Sequence, residues 1–257
     1  MTNEEIMRAV QYHHNLVESK GYHVVMTSLI GSQNYGLATN ASDIDTFSFI
    51  FPSFEDLARA EDPKAGLIFA EDGHCNFKDV RIALNLLKKT SPNSVEYFTS
   101  KYKIYNPNYK FLLEEYLDYN VVLWNMIHCN YKHMLNACAG MAHQLIKRNM
   151  SAGKRYSHAL RLNDMIYNFF NNQEAQAILD FRPGGDRQLA LQAKFDTNID
   201  NDKFYNNECE QIARKLTIYA DTWETSDWHN GVEANGLQLI NKFQMELFKI
   251  YLMETNK

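Results

Sequence analysis

The sequence predicts an α+β fold, in which a small mixed-sheet domain is followed by an α-helical half. Strand-like runs occur only in the first hundred or so residues, whereas every periodic segment from about Tyr109 onward has helical spacing. Apolar residues make up 45% of the chain and charged residues 22%, as in folded globular proteins. We therefore expect one domain over residues 1–105 and a helical domain over residues 106–257.

The first predicted element is a helix over residues 2–20. Thr2 and Glu5 form a capping-box pattern at its start, and Gly21 can end it. Its apolar-leaning stripe consists of Ile6, Val10, His13 and Val17.

Four strand-like runs follow, at residues 24–30, 43–51, 67–70 and 74–77. The last two flank Glu71-Asp72-Gly73, a hairpin-type turn. Asp79 can cap a helix that begins at Val80. The later helices are predicted at residues 109–118, 121–150, 153–172, 206–222 and 231–254, with loops at 181–186 and 196–202.

The candidate functional site lies between the first two strands. Gly31-Ser32 ends the first strand, and after ten further residues Asp43 and Asp45 begin the second. Because strand side chains alternate, the two carboxylates point the same way, and such a pair is tolerated best with a divalent cation between them. A Gly-Ser turn can bring backbone N–H groups and a hydroxyl to phosphate oxygens. The pattern predicts a site for a metal-bound nucleoside triphosphate.

This run, Gly-Ser-x-x-Tyr-Gly-Leu-Ala-Thr-x-x-Ser-Asp-x-Asp, resembles the nucleotidyltransferase superfamily of the DNA polymerase beta type, and within it a bacterial and phage branch. Residues 79–96 are similar to the helix, the Asn-Pro-like break and the Glu that follow the catalytic strands there. The resemblance implies that Asp43 and Asp45 are catalytic residues that hold Mg²⁺, and that Gly31 and Ser32 cradle the triphosphate. Ser42 could orient a carboxylate or cap the local turn.

A basic helix is the second part of the expected site. Lys154, His158 and Arg161 fall at i, i+4 and i+7 and share one helix face. The segment is similar to a Lys/His/Arg helix of the same branch, which implies contacts with triphosphate oxygens or an acidic acceptor. A solvated helix face would have the same pattern, so both interpretations stay open.

The third carboxylate of the family is missing from its expected position. That position falls at or near His74, and Asp72 and Asp79 are the nearest acids. Asp79 could act as the third catalytic acid, or it could only cap the following helix. Asp72 could also take this place, or it could be only a turn residue.

The resemblance implies an enzyme that moves an NMP, with AMP as one option, from an NTP to an acceptor hydroxyl with release of pyrophosphate. Two Mg²⁺ ions are expected if a third acid is present. The acceptor could be an RNA end, a protein hydroxyl or a small molecule. The alternative is a degenerate nucleotide-binding or interaction protein that keeps the fold without a complete set of catalytic acids.

Charge and composition indicate which classes of partner and which cellular compartment to expect. The net charge of −5 does not indicate a wide nucleic-acid-binding surface. No apolar run is long enough to span a bilayer, and the N-terminus has no signal-peptide pattern. The four cysteines form no C-x-x-C pair. We therefore expect a cytoplasmic protein with free thiols and no membrane partner.

Overall fold

The structure is a computed structural model that describes residues 1–39, 42–182 and 186–255. The strands are β1 (His23–Ile30), β2 (Ile44–Phe51), β3 (Ala65–Ala70), β4 (Gly73–Asp79) and β5 (Lys103–Tyr105). The helices are α1 (Asn3–Ser19), α2 (Phe54–Ala58), α3 (Val80–Lys88), α4 (Pro92–Thr99), α5 (Lys110–Leu117), α6 (Asn120–Ile127), α7 (Tyr131–Lys147), α8 (Ala152–Asn171), α9 (Asp186–Phe195), α10 (Asp202–Thr222) and α11 (Asp227–Thr255).

The strands form one sheet in the order β3-β4-β2-β1-β5. β2 and β4 are parallel, and all other neighbours are antiparallel. This mixed sheet, followed by helices from α5 onward, confirms the predicted α+β fold. The sequence analysis did not predict β5, whose three residues give too short a pattern to recognise.

α1 covers one face of the sheet. Its capping box is formed as expected, with Thr2 and Glu5 bonded to each other's backbone N–H groups. Its buried face carries two histidines beside the apolar stripe. Nδ1 of His13 lies 2.9 Å from the Thr46 hydroxyl, and Nδ1 of His14 lies 3.0 Å from the Thr27 hydroxyl. These bonds satisfy polar groups that would otherwise be costly to bury.

The opposite face of the sheet packs against the helices. Alternate residues of β2 point to this side, and they form the largest hydrophobic cluster together with the helical half. The aromatic partners are Tyr97 for Phe47, Phe98 for Phe49 and Tyr251 for Phe51. The other end of this face carries Asp45, so the polar site sits beside a buried aromatic core.

The helical half differs from the expectation at two places. The predicted helix over residues 121–150 is two helices: α6 ends at Ile127, and Asn130 caps α7 by accepting a hydrogen bond from the His133 N–H. α9 was not predicted, and the expected loop at 181–186 in fact ends on the first residue of this helix, Asp186. Residues 183–185 of that loop lie outside the described part of the chain.

Across residues 1–39, 42–182 and 186–255, the helices are all too short or too polar to cross a lipid bilayer.

Candidate functional site

The Gly31 turn brings the end of β1 up to a carboxylate of β2. Ile30 pairs with Asp45 in the antiparallel ladder, and Gly31 then adopts φ +77° to begin a 3₁₀ turn. A Cβ placed on Gly31 would lie 3.0 Å from Oδ2 of Asp45. Both the positive φ and this close approach favour glycine.

Asp43 and Asp45, the two predicted metal ligands, are two residues apart at the start of β2. Asp43 is exposed just before the strand, and Asp45 is the second strand residue, with a half-buried carboxylate. Burial raises the pKa of the Asp45 carboxyl; His74 opposes this effect and Asp43 adds to it. Oδ1 of Asp45 is buried, and the described residues leave it only the neighbouring imidazole of His74 as a partner. An oxygen of this kind is suited to a cation.

His74 occupies the position where the family's third acid was expected. β2 and β4 are paired so that Asp45 lies opposite His74, and Nδ1 of His74 is 2.7 Å from Oδ1 of Asp45. At this distance the imidazole interacts directly with the carboxylate, and against the larger effect of burial the contact lowers the pKa of Asp45. The site therefore has an imidazole beside the Asp45 carboxylate.

Asp72 lies near this site but is engaged elsewhere. Its Oδ1 is 2.7 Å from Nε2 of His13, and its backbone carbonyl accepts a hydrogen bond from the Ile44 N–H. The side chain of Asp72 therefore positions the turn before β4 against α1 and the start of β2.

Asp79 is not brought to the site. It pairs with Ile50, five positions along the ladder from the Asp45–His74 pair, which is a separation of roughly 16 Å. Its buried carboxylate accepts hydrogen bonds from the Arg81 N–H and guanidinium and caps α3. The geometry contradicts a role as third catalytic acid, and the N-cap interpretation holds because Asp79 ends β4 where α3 begins.

Ser42 also serves local structure. Its hydroxyl accepts a hydrogen bond from the Thr39 N–H at 2.9 Å, and its own N–H donates to the Thr39 carbonyl. Of the two roles left open for Ser42, the structure therefore gives the turn cap.

A cavity of about 150 Å³ lies next to the Gly31 turn. It brings together four of the predicted nucleotide-binding residues, namely Gly31, Ser32, His158 and Arg161. Lys154, the remaining residue of the basic helix, is exposed and does not line the cavity.

Glu96 is the buried acid of this cavity. Its Oε1 accepts a 2.6 Å hydrogen bond from the Gly31 N–H, and its Oε2 is 3.7 Å from Nη1 of Arg161. Burial raises the pKa of Glu96, whereas the Arg161 charge and the Gly31 N–H lower it. The sequence analysis matched this Glu to the family but gave it no role.

Positive charge surrounds the other side of the cavity. The Arg161 guanidinium stacks on the Tyr35 ring at 4.1 Å, and its Nε is buried without a hydrogen-bond partner among the described residues. Burial lowers the pKa of His158 to about 3, and the charges of Arg161, Lys154 and Lys194 contribute further. A bound anion would offset this positive charge.

α9 supplies two contacts that sequence reasoning missed. Nζ of Lys194 donates to the Leu37 carbonyl at 2.6 Å and lines the cavity, and Nε of Arg187 donates to the Gly36 carbonyl at 3.0 Å. Burial lowers the pKa of Lys194. Both residues hold the loop that follows the Gly31 turn. Their i, i+7 spacing would have placed them on one face, but only if the helix had been recognised.

The start of β2 offers two carboxylates as ligands for Mg²⁺. Within the described residues, no cluster of three or more His, Cys, Asp or Glu side chains is arranged to hold a metal ion. Mg²⁺ is nevertheless commonly bound by one or two carboxylates together with substrate phosphates. The Asp43 and Asp45 carboxylates are oxygen ligands of that kind, and Oδ1 of Asp45 also contacts the imidazole of His74.

Comparison with known proteins identifies the family. A model of the RNA repair pathway DNA polymerase beta family matches residues 3–164, from the start of α1 into α8. No curated protein matches the chain. The family match confirms the resemblance to polymerase beta-type nucleotidyltransferases and includes the Gly-Ser turn, both aspartates and the basic helix. The chain belongs to the RNA repair pathway DNA polymerase beta family.

Proposed function

We propose that this protein is a Mg²⁺-dependent nucleotidyltransferase that moves an NMP from an NTP to an acceptor hydroxyl. The observation that carries the proposal is the contact between Asp45 and the Gly31 turn. There, Oδ2 of Asp45 lies against Gly31, which lines the same cavity as Arg161, His158 and Lys194. Carboxylates suit the metal and cations suit the triphosphate, and the two lie side by side.

Each residue then has a defined task. Asp43 and Asp45 would hold Mg²⁺, which would neutralise phosphate charge and make an acceptor hydroxyl more acidic. Ser32 and the cations of the cavity hold the triphosphate, and Glu96 fixes the Gly31 turn. The acceptor oxygen bonds to the α-phosphorus, the bond to the pyrophosphate oxygen breaks, and the hydroxyl proton leaves to solvent. Positioning and charge neutralisation supply most of the rate gain.

An RNA end is the acceptor that the family description favours, since it places the family in RNA repair. The test is incubation with Mg²⁺, each NTP and an RNA oligonucleotide with a free 3′-hydroxyl, with release of pyrophosphate and extension of the RNA as readouts. We expect both with the wild type and neither with Asp45→Asn. Asp62→Asn, which changes an exposed acid outside the site, is the control and should be active.

Pyrophosphate release without RNA extension would keep the transferase and exclude RNA as the acceptor. Protein or small-molecule hydroxyls would then be examined by the same release assay.

A second candidate is a degenerate protein that binds nucleotide without transferring it. The observation that favours it is His74, which replaces an acid beside Asp45. This candidate predicts saturable NTP binding with no pyrophosphate released with any acceptor, an outcome that would overturn the transferase proposal.

A further inference from the structure

The helical half contains a second cavity, of about 280 Å³, between α8 and α10. It lies on the side of α8 roughly opposite the face that carries Lys154, His158 and Arg161, since its α8 residues are offset by about half a helical turn. Most of the residues that line it follow residue 164, where the family match ends. The lining residues that carry the argument are Tyr167 and Phe170 on α8, Lys215 and Tyr219 on α10, and Trp223 just beyond α10.

Aromatic rings form the walls of this cavity. Tyr167 and Tyr219 are each 48% exposed, and Phe170 and Trp223 lie deeper with ring centroids 4.6 Å apart. The Arg182 guanidinium lies over the Tyr167 ring at 4.9 Å and the Lys215 ammonium over the Tyr219 ring at 5.7 Å. A planar ligand ring would stack on the opposite faces of these tyrosines or displace the cations. The volume is near the lower end of ligand pockets and suits a small molecule better than a polymer.

The polar groups at the edge add donors and acceptors. The Asn171 carboxamide is exposed there and donates one N–H to the Tyr167 carbonyl, so its oxygen and its second N–H can accept and donate further hydrogen bonds. Asn163 is buried, and its carboxamide is bonded to Lys215 and Asp164. Nucleobases have planar faces and edges with the same mixture of donors and acceptors. A nucleobase therefore matches both the walls and the edge of the cavity.

Two cationic side chains line the cavity, and only one of them is paired with carboxylates of the described residues. Arg182 is paired with Asp164 at 2.6 Å and with Asp186 at 2.7 Å. Nζ of Lys215 donates to the Asn163 carboxamide and forms no ion pair within the described residues. Glu224 lines the cavity beyond the end of α10, and Lys215 precedes that end by about two turns, or roughly 10 Å. A phosphate would therefore bind at the Lys215 end.

We propose that this cavity is a second nucleotide site, which holds a nucleobase against its aromatic walls and a phosphate at Lys215. The site is separate from the Gly31 cavity, and the proposal does not depend on the transfer reaction.

Tryptophan fluorescence of the full chain is a suitable readout. Trp223 lines the cavity, and the other two tryptophans, Trp124 and Trp228, line the neighbouring groove. None of them lines the Gly31 cavity. The probe is AMP, titrated in EDTA to remove divalent metal from the Gly31 site. We expect saturable quenching with AMP and none with ribose 5-phosphate, which lacks the base.

Variants on α10 locate the binding. Tyr219→Ala and Lys215→Ala should each weaken AMP binding on the order of tenfold, by loss of stacking and of the phosphate partner. The matched controls are Ile218→Ala and Lys203→Ala, exposed residues of the same helix that do not line the cavity. Both should bind as the wild type does. Absence of saturable quenching, quenching by ribose 5-phosphate equal to that by AMP, or equal affinity in Tyr219→Ala would each overturn the proposal.

Discussion

The backbone N–H of Gly31 donates a 2.6 Å hydrogen bond to the carboxylate of Glu96. This bond joins the turn after β1 to α4, and the other oxygen of Glu96 faces Arg161 of α8. One buried carboxylate thus connects the sheet to the helical half at the candidate active site.

The first prediction concerns this carboxylate. Glu96→Ala leaves the Gly31 N–H without its acceptor and Arg161 without a counter-charge, so it should lower the free energy of unfolding by about 3–5 kcal/mol. Glu96→Gln keeps an acceptor oxygen and should cost clearly less. Urea unfolding of both variants measures this, and equal stability of Glu96→Ala and wild type would contradict it.

The second prediction concerns the carboxylate pair. Asp45→Asn and Asp43→Asn should each abolish Mg²⁺-dependent transfer without lowering the melting temperature of the metal-free protein. Asp43 raises the pKa of Asp45, so removing one charge relieves repulsion. Transfer assays and thermal melts in EDTA test both parts. Wild-type transfer by both variants would remove the basis for the metal site.

The third prediction separates close approach from backbone strain at glycine. Gly31→Ala should weaken NTP binding because the new Cβ meets the Asp45 carboxylate, and it should also cost about 1–2 kcal/mol of stability at its positive φ. Gly21→Ala is the matched control: Gly21 has φ +83°, but no atom lies within 4 Å of its added Cβ. It should lose stability and keep NTP affinity. Equal affinities in the two variants would mean that Gly31 serves only the turn.

The fourth prediction tests the reassigned role of Asp79. Asp79→Ala removes the cap of α3 and the partner of Arg81, and should lower stability by about 1–3 kcal/mol. Asp79→Asn keeps a capping oxygen and should cost less. Neither variant should reduce transfer per folded molecule. A severe loss of transfer in a stable Asp79→Asn protein would restore the catalytic role.

The fifth prediction is a pH dependence. His158 has a pKa of about 3 in the folded protein, against about 6.5 in an unfolded chain. Between these values the unfolded state binds more protons, so the free energy of unfolding decreases as the pH falls. His158→Asn removes this titration, and its stability should fall less steeply than that of the wild type between pH 7 and pH 4.5, by on the order of 1 kcal/mol or more. Urea unfolding at both pH values measures this. An equal loss of unfolding free energy in the wild type and in His158→Asn would contradict the low pKa of His158.

The local patterns were sufficient to predict four of the five strands and to place the Gly31 turn and Asp45 in one candidate site. The Gly31 turn and Asp45 are close in sequence and are linked by one antiparallel pair, so alternation and spacing determine their relationship. The environment of Asp79 depended on the register of the parallel pair β2–β4, which adjacent residues do not specify. The N-cap pattern correctly predicted its local role.

The missed residues came from distant parts of the chain. Lys194 reaches the Leu37 carbonyl from α9, and no local pattern indicates such a contact. α9 itself is short, and its buried face carries only two alanines, which gives a weak apolar period. Glu96 could be matched to a motif, but its bond to Gly31 depends on how α4 packs on the sheet.

α8 lines two cavities with different faces. One of its faces supplies Arg161 and His158 to the Gly31 cavity, and another supplies Tyr167 and Phe170 to the cavity beside α10. Few of its positions face only solvent, so its mutational tolerance should be low around its whole circumference. Saturation mutagenesis of α8 should therefore lack the periodic pattern of permissive sites that an ordinary surface helix gives.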